Sequence, residues 1–167
     1  GFTGSLIIPD GVTTIGDWAF GVCSGFTGSL KLPANLTTIG KNAFQLCTGF
    51  TGSLVIPDGV SIINEDAFLA CSGFNGALIL PKNLKEIKQS AFFGCSKLSG
   101  SLTIPNGVTA IGKSAFYGCE GFKGSLTLPS QLIYLESGAF NNCYGFTGPL
   151  TIPDGVKIIE EDVFSGC

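Results

Sequence analysis

A strict 24-residue period governs this chain. The segment Gly1-Phe2-Thr3-Gly4-Ser5-Leu6 returns at Gly25, Gly49, Gly73, Lys97, Gly121 and Gly145, with no insertion or deletion between copies. Such self-similarity marks a stacked repeat, in which each unit buries its apolar side only against its neighbours. The units are residues 1–24, 25–48, 49–72, 73–96, 97–120, 121–144 and 145–167, the last one residue short. Positions that recur in every copy meet the same surroundings on every turn, so the columns can be read as a core and a surface.

The first column pair is Leu6, Leu30, Leu54, Leu78, Leu102, Leu126 and Leu150 with Ile8, Leu32, Ile56, Leu80, Ile104, Leu128 and Ile152. A spacing of two puts both on the inward face of a strand. The residue between them (Ile7, Lys31, Val55, Ile79, Thr103, Thr127, Thr151) varies freely, as an outward position does. Proline follows in every copy, Pro9 to Pro153, and ends the strand because it has no N–H to donate. A Val/Leu column from Val12 and an Ile/Leu column from Ile15 then suit a second short strand. Ala-Phe-x-x-Cys closes the unit and is expected to form one helical or 3-10 turn. Two phenylalanine ladders run through the copies, one from Phe20 to Phe164 and one from Phe2 to Phe146, with Leu98 standing in once.

Glycine marks the corners. Gly4 and its equivalents never vary, which predicts positive φ or close backbone approach. The column Gly11, Asn35, Gly59, Asn83, Gly107, Gln131, Gly155 is expected to be left-handed too, with Gln131 breaking the pattern. Odd copies read Ile-Pro-Asx-Gly-Val and even ones Leu-Pro-x-Asn/Gln-Leu, so the larger unit is two copies long, and β-branched rungs alternate with γ-branched ones. The fold class read from these columns is a repeat solenoid, mainly β: a right-handed coil of seven 24-residue turns with short parallel strands.

Composition narrows the function. Hydrophobic residues make up 44% and charged ones 13%, which argues against disorder. A net charge of −3 leaves no basic footprint for nucleic acid. No apolar run reaches the roughly 20 residues a membrane span needs. The absence of methionine, even at position 1, makes Gly1 a processed end or a cut within a longer protein. With no histidine, Ser/His/Asp and Cys/His systems and most zinc sites are excluded. The reading is therefore no enzyme, no cofactor and no metal. Cys23, Cys47, Cys71, Cys95, Cys119, Cys143 and Cys167 stack one per rung, close enough to bridge. An odd number cannot all pair, and a uniform column beside the phenylalanines reads as a ladder of buried free thiols. Asp10, Asp58 and Asp154 share a column but lie two or more rungs apart, too far to share one cation.

The run Leu102-Thr103-Ile104-Pro105-Asn106-Gly107-Val108-Thr109-Ala110-Ile111-Gly112-Lys113-Ser114-Ala115-Phe116-Tyr117-Gly118-Cys119 resembles the BspA-like, or Treponema pallidum-type, leucine-rich repeat, and all seven units match. One departure is a segment between Cys and Leu that is a residue longer than the family's, with Phe-x-Gly-Ser ahead of the strand. The resemblance implies a leucine-rich-repeat coil in a secreted or cell-surface protein of the adhesin kind, and it brings no catalytic residues with it.

Variation on the surface supplies the site candidates. Leu69, Phe93 and Tyr117 stack on consecutive rungs as an apolar stripe. Trp18 stands alone in a column of Asn, Asp, Ser and Gly, and Ile133-Tyr134 replaces an earlier Thr-Thr. Exposed aromatics clustered on a rigid scaffold suit contact with a protein or glycan partner at a cell surface. The competing reading is structural, a stalk or self-assembling fibre. There, uncapped ends would meet through Leu6 and Ile8 of one copy and Ile159 and Phe164 of the next.

Overall fold

The computed structural model describes the whole chain, Gly1–Cys167. The chain winds into stacked rungs joined by short parallel strands: β1 (Thr14–Ile15), β2 (Thr38–Ile39), β3 (Leu54–Val55), β4 (Ile62–Ile63), β5 (Leu78–Ile79), β6 (Glu86–Ile87), β7 (Ala110–Ile111) and β8 (Tyr134–Leu135). Strand partners lie one repeat apart, as in Thr14↔Thr38 and Ile63↔Ile87. The sheets are β1-β2, β3-β5 and β4-β6-β7-β8. Both strand positions expected from the columns exist. The first forms regular strand only at β3 and β5, and elsewhere shows single bridges such as Ile7↔Lys31 and Thr103↔Thr127.

The columns sort as read in rungs two to six, whereas at the ends Leu6, Ile8 and Ile152 are half-buried and Leu150 is exposed. Leu54, Ile56, Leu102 and Ile104 are buried, while Ile7, Lys31, Val55, Ile79, Thr103, Thr127 and Thr151 all face solvent. The two phenylalanine ladders fill the interior of rungs two to six, while Phe2 in the first rung is exposed. Successive rings of the first stack in parallel, 5.4 Å apart at Phe44–Phe68 and 5.3 Å at Phe92–Phe116. The second meets the first edge-on, as at Phe116–Phe122, 6.3 Å apart. Offset stacks and edge contacts are the arrangements that the ring quadrupole favours.

Two expectations need correction. The Ala-Phe-x-x-Cys segment contains no helical turn; it is a chain of overlapping β-turns. In the first rung Ala19, Gly21 and Cys23 donate N–H to the carbonyls of Gly16, Trp18 and Phe20, while Trp18, Phe20 and Val22 donate to Lys41, Ala43 and Gln45 of the next rung. That alternation requires left-handed backbone twice per rung. The column Trp18, Asn42, Asp66, Ser90, Ser114, Gly138, Asp162 has φ between 51° and 64°, and the column Val22, Leu46, Ala70, Gly94, Gly118, Asn142, Gly166 has φ between 55° and 74°. A helix would turn these N–H groups along its own axis and leave the neighbouring rung unpaired.

The second correction concerns Gly11 and its equivalents, none of which has positive φ. They occupy the third position of a turn closed by Val12 N–H onto the Pro9 carbonyl, repeated at Leu36–Pro33, Leu132–Pro129 and the other rungs. With negative φ there, any residue fits, so Gln131 is no exception. Glycine answers instead to close approach: a Cβ at Gly59 would lie 2.6 Å from the Leu36 carbonyl oxygen, and one at Gly155 would lie 2.5 Å from that of Leu132. The invariant corner does have positive φ, 79° to 85° at Gly4, Gly28, Gly52, Gly100, Gly124 and Gly148, though Gly76 departs from it.

Candidate contact surface

The chain of turns forms one long side of the solenoid, and most of the candidate residues lie on it. Phe93 and Tyr117 stack in parallel at 4.7 Å, and Tyr117 Oη accepts a hydrogen bond from Asn142 Nδ2 at 3.2 Å. Leu69, Phe93 and Tyr117 are half-buried. Trp18, 55% exposed, lies over Gly21, where a Cβ would come within 2.6 Å of the ring. Gly21 belongs to the same column as Leu69, Phe93 and Tyr117, with the polar Gln45 between them in the second rung, so Trp18 lies on the same face as their stripe but separated from it by one rung. The structure brings these four together on one face and places Ile133 and Tyr134 elsewhere.

Two residues of this face were not singled out from the sequence. Val22 is 59% exposed and Leu46 is 37% exposed, both in the second left-handed column. A β-branched or bulky residue with positive φ is a genuine outlier, and the left-handed conformation costs about 1–2 kcal/mol for an L-residue. Later copies use Gly94, Gly118, Asn142 and Gly166 there at little cost. The first two rungs therefore hold Trp18, Val22 and Leu46 in a strained backbone while displaying them to solvent. The column reads Val, Leu, Ala, Gly, Gly, Asn, Gly, and only its last four residues suit a left-handed position.

Ile133 and Tyr134, the latter 63% exposed, lie on the strand side with Ile158, which is 70% exposed. They flank a groove of about 300 Å³ with Glu136, Lys157 and Glu160 at its rim. Of the proposed end residues, Leu6, Ile8 and Phe164 are half-buried and Ile159 is exposed.

The polar side chains serve the stack. Asp17 Oδ1 accepts the Lys41 N–H, Asp58 Oδ1 that of Lys82, and Glu136 and Glu160 Oε2 those of Lys113 and Ser137, each at 2.8–3.0 Å. Lys41 Nζ meets Glu65 Oε2 at 3.1 Å, an ion pair that raises the lysine pKa. The thiols do more than fill space. Cys47, Cys71, Cys95, Cys119, Cys143 and Cys167 each donate Sγ–H to the phenylalanine carbonyl of the preceding rung, at 2.9–3.1 Å. Burial pushes their ionisation up, to about 11 at Cys47 and about 12 at Cys95 and Cys143. A protonated, buried thiol is a poor nucleophile.

Comparison with known proteins fits this geometry. A leucine-rich repeat protein from Bacteroides ovatus is 28% identical, with a TM-score of 0.63 over 93% of this chain and 33% of its own. A leucine rich cell surface protein from Faecalibacterium prausnitzii is 26% identical, with a TM-score of 0.65 over 95% of this chain and 50% of its own. The T. pallidum leucine-rich repeat protein, 24% identical, shares the fold with a TM-score of 0.64 over 93% of this chain and 59% of its own. The chain thus spans between a third and three-fifths of these proteins. No curated protein sequence matches it. The family model for the BspA type leucine rich repeat region matches in six copies, over residues 3–123 and 50–167. With nearly its whole length covered, the chain belongs to the BspA-type leucine-rich repeat family.

Proposed function

We propose that this chain is a non-catalytic binding scaffold of a secreted or cell-surface protein, a right-handed coil of seven 24-residue turns that presents its turn side to a protein partner. The observation that carries this reading is the strained display of Trp18, Val22 and Leu46 on the same face as Leu69, Phe93 and Tyr117. Strain persists where the surroundings enforce it, and it clusters at sites of function. Large apolar side chains on a rigid frame are the usual anchors of an interface. The cell-surface description of the Faecalibacterium protein supports the location, and no helix here is long and apolar enough to cross a membrane. The test is adhesion of the purified chain to immobilised extracellular-matrix proteins and to a glycan array, beside the double variant Phe93→Ser/Tyr117→Ser. The expected result is retained folding with protein adhesion reduced at least about tenfold, the loss of one good anchor. Unchanged protein adhesion, or binding confined to glycans, would reject a protein contact on this side.

A second reading, end-to-end assembly of the 167-residue chain, is favoured by hydrogen-bond polarity. The first rung leaves the carbonyls of Asp17, Ala19 and Gly21 without backbone partners, and the seventh leaves the N–H groups of Asp162, Phe164 and Gly166. These are the two halves of the ladder that joins every interior rung. Sedimentation should then show association that rises with concentration and falls with Leu6→Lys or Ile159→Lys; a monomer at all concentrations would remove this reading.

A further inference from the structure

The rungs are not stacked evenly. On the turn side every neighbour is joined alike: Phe20, Phe44, Phe68, Phe92, Phe116 and Phe140 each donate N–H to the next rung at 2.8–2.9 Å. The strand side is broken in two places, between the second and third rungs and between the sixth and seventh. β2 pairs back to β1 but not forward to β4, and β8 ends its sheet although Ile158–Ile159 follows. At the other four junctions the Ile carbonyl of one rung accepts the backbone N–H of Gly40, Lys88, Gly112 or Glu136 of the next. At the first seam that acceptor, the Ile39 carbonyl, is taken by the Asn64 side chain instead, at 2.8 Å.

Both seams also open a groove along the first strand. One, of 690 Å³, is lined by Leu30, Leu32 and Val55; the other, of 480 Å³, is lined by Leu126, Leu128 and Ile152. In the glycine column after the first strand, a Cβ at Gly59 or Gly155 would meet the preceding rung at 2.6 or 2.5 Å at these same two junctions. The junction between the fourth and fifth rungs keeps its second strand, and there a Cβ at Gly107 would clear the Leu84 oxygen at 3.3 Å. The four rungs between the seams share the sheet β4-β6-β7-β8.

We infer that the solenoid opens at the first seam as a unit, rungs one and two detaching together while rungs three to six stay folded. In a stacked repeat, stability is a sum of rung and nearest-neighbour terms. A junction that lacks the second-strand pairing and keeps only the corner bridge Gly28↔Phe50 on that side has the weaker coupling, so partial unfolding stops there and does not advance rung by rung. The contact strip crosses this seam, with Trp18, Val22 and Leu46 on one block and Leu69, Phe93 and Tyr117 on the other. Opening divides the strip, and a partner bound across it holds the seam closed.

Native-state hydrogen exchange of the 167-residue chain, read by NMR at low denaturant, tests this directly. The amides of Phe20 and Phe44 make equally short bonds, one within the first block and one across the seam. They are expected to share one opening free energy and one denaturant slope, and to exchange at least about tenfold faster than Phe68 and Phe92. Fraying from the end predicts a graded series instead, with Phe44 protected well above Phe20. That gradient, or equal protection of all four amides, would overturn the inference. Mass spectrometry under conditions where closing is slow supplies a second readout. Peptides from rungs one and two should gain deuterium as one correlated packet, and independent uptake by the two would equally overturn it.

Discussion

The turn side and the strand side of this solenoid are held together by different means. On the turn side a left-handed residue at every fourth position points alternate N–H groups at the next rung, and the bonds run without a break through every junction. On the strand side the regular segments are two residues long and the sheets stop at two junctions. The irregular-looking half is therefore the continuous one. Backbone polar groups must be paired wherever they are buried, and here a string of turns meets that demand more completely than the strands do. The phenylalanine ladder and the thiols lie directly behind the turns, so the stacked aromatic contacts and the Sγ–H···O bonds reinforce the same side.

The most severe way to break that side is to remove one ring. Phe92 is fully buried between Phe68 and Phe116, at 5.7 and 5.3 Å. Phe92→Ala is expected to cost about 3–5 kcal/mol through lost burial and the cavity left behind, measured by urea denaturation. A cost below about 1 kcal/mol would mean that the ladder is not the main support.

Raising the pH attacks the same side through the thiols. An unfolded cysteine ionises near pH 8.5 or so, whereas burial raises Cys95 and Cys143 to about 12. Between those values the unfolded chain gives up protons that the folded chain keeps, so stability is fully present below about pH 8.5 and falls as the pH rises towards 12. The expected slope is about 1.4 kcal/mol per pH unit for each fully buried thiol. Denaturation midpoints at pH 8, 9 and 10 would show it. A flat profile would mean that the thiols are not held protonated inside.

Most of this comparison was legible in the sequence, but not its emphasis. The inward columns, the outward column and both ladders followed from spacing alone, because burial repeats with the period. The turn side was misread as helical because Ala-Phe-x-x-Cys has an apolar spacing of three, which one helical turn and a string of β-turns share. The clue against a helix was the column Trp, Asn, Asp, Ser, Ser, Gly, Asp from Trp18 to Asp162, four of whose residues tolerate left-handed backbone. The seams were out of reach, since nothing in the spacing shows that the Asn64 side chain takes the Ile39 carbonyl in place of a backbone N–H. Of the contact strip, the sequence yielded Leu69, Phe93, Tyr117 and Trp18, whereas Val22 and Leu46 emerge only from their φ angles.

A smaller effect, of opposite sign, sharpens the account of strain. Val22 has φ of 62°, and Asn142 occupies the same column with φ of 59°. Because asparagine tolerates this conformation and valine does not, Val22→Asn is expected to stabilise the fold by about 1 kcal/mol. The same substitution removes an exposed side chain of the strip, so stability and adhesion should move in opposite directions. A variant less stable than the parent would place Val22 in the packing of the first two rungs and withdraw it from the strip.

The smallest effect is expected on the outer strand surface. Thr103 is exposed between the buried Leu102 and Ile104, and its bridge to Thr127 uses the backbone. Thr103→Ala removes a hydroxyl and a methyl that already face water, so no cavity forms and no buried polar group is orphaned. What remains is the modest preference of extended backbone for a β-branched residue, and the cost should stay within about 0.5 kcal/mol. Set beside Phe92→Ala, this substitution measures the contrast between the two sides on a single scale. If Thr103→Ala also cost several kcal/mol, the outward column would be bearing structural load. The strand side would then be the true support of the coil, and the order of importance argued from the bonds would have to be reversed.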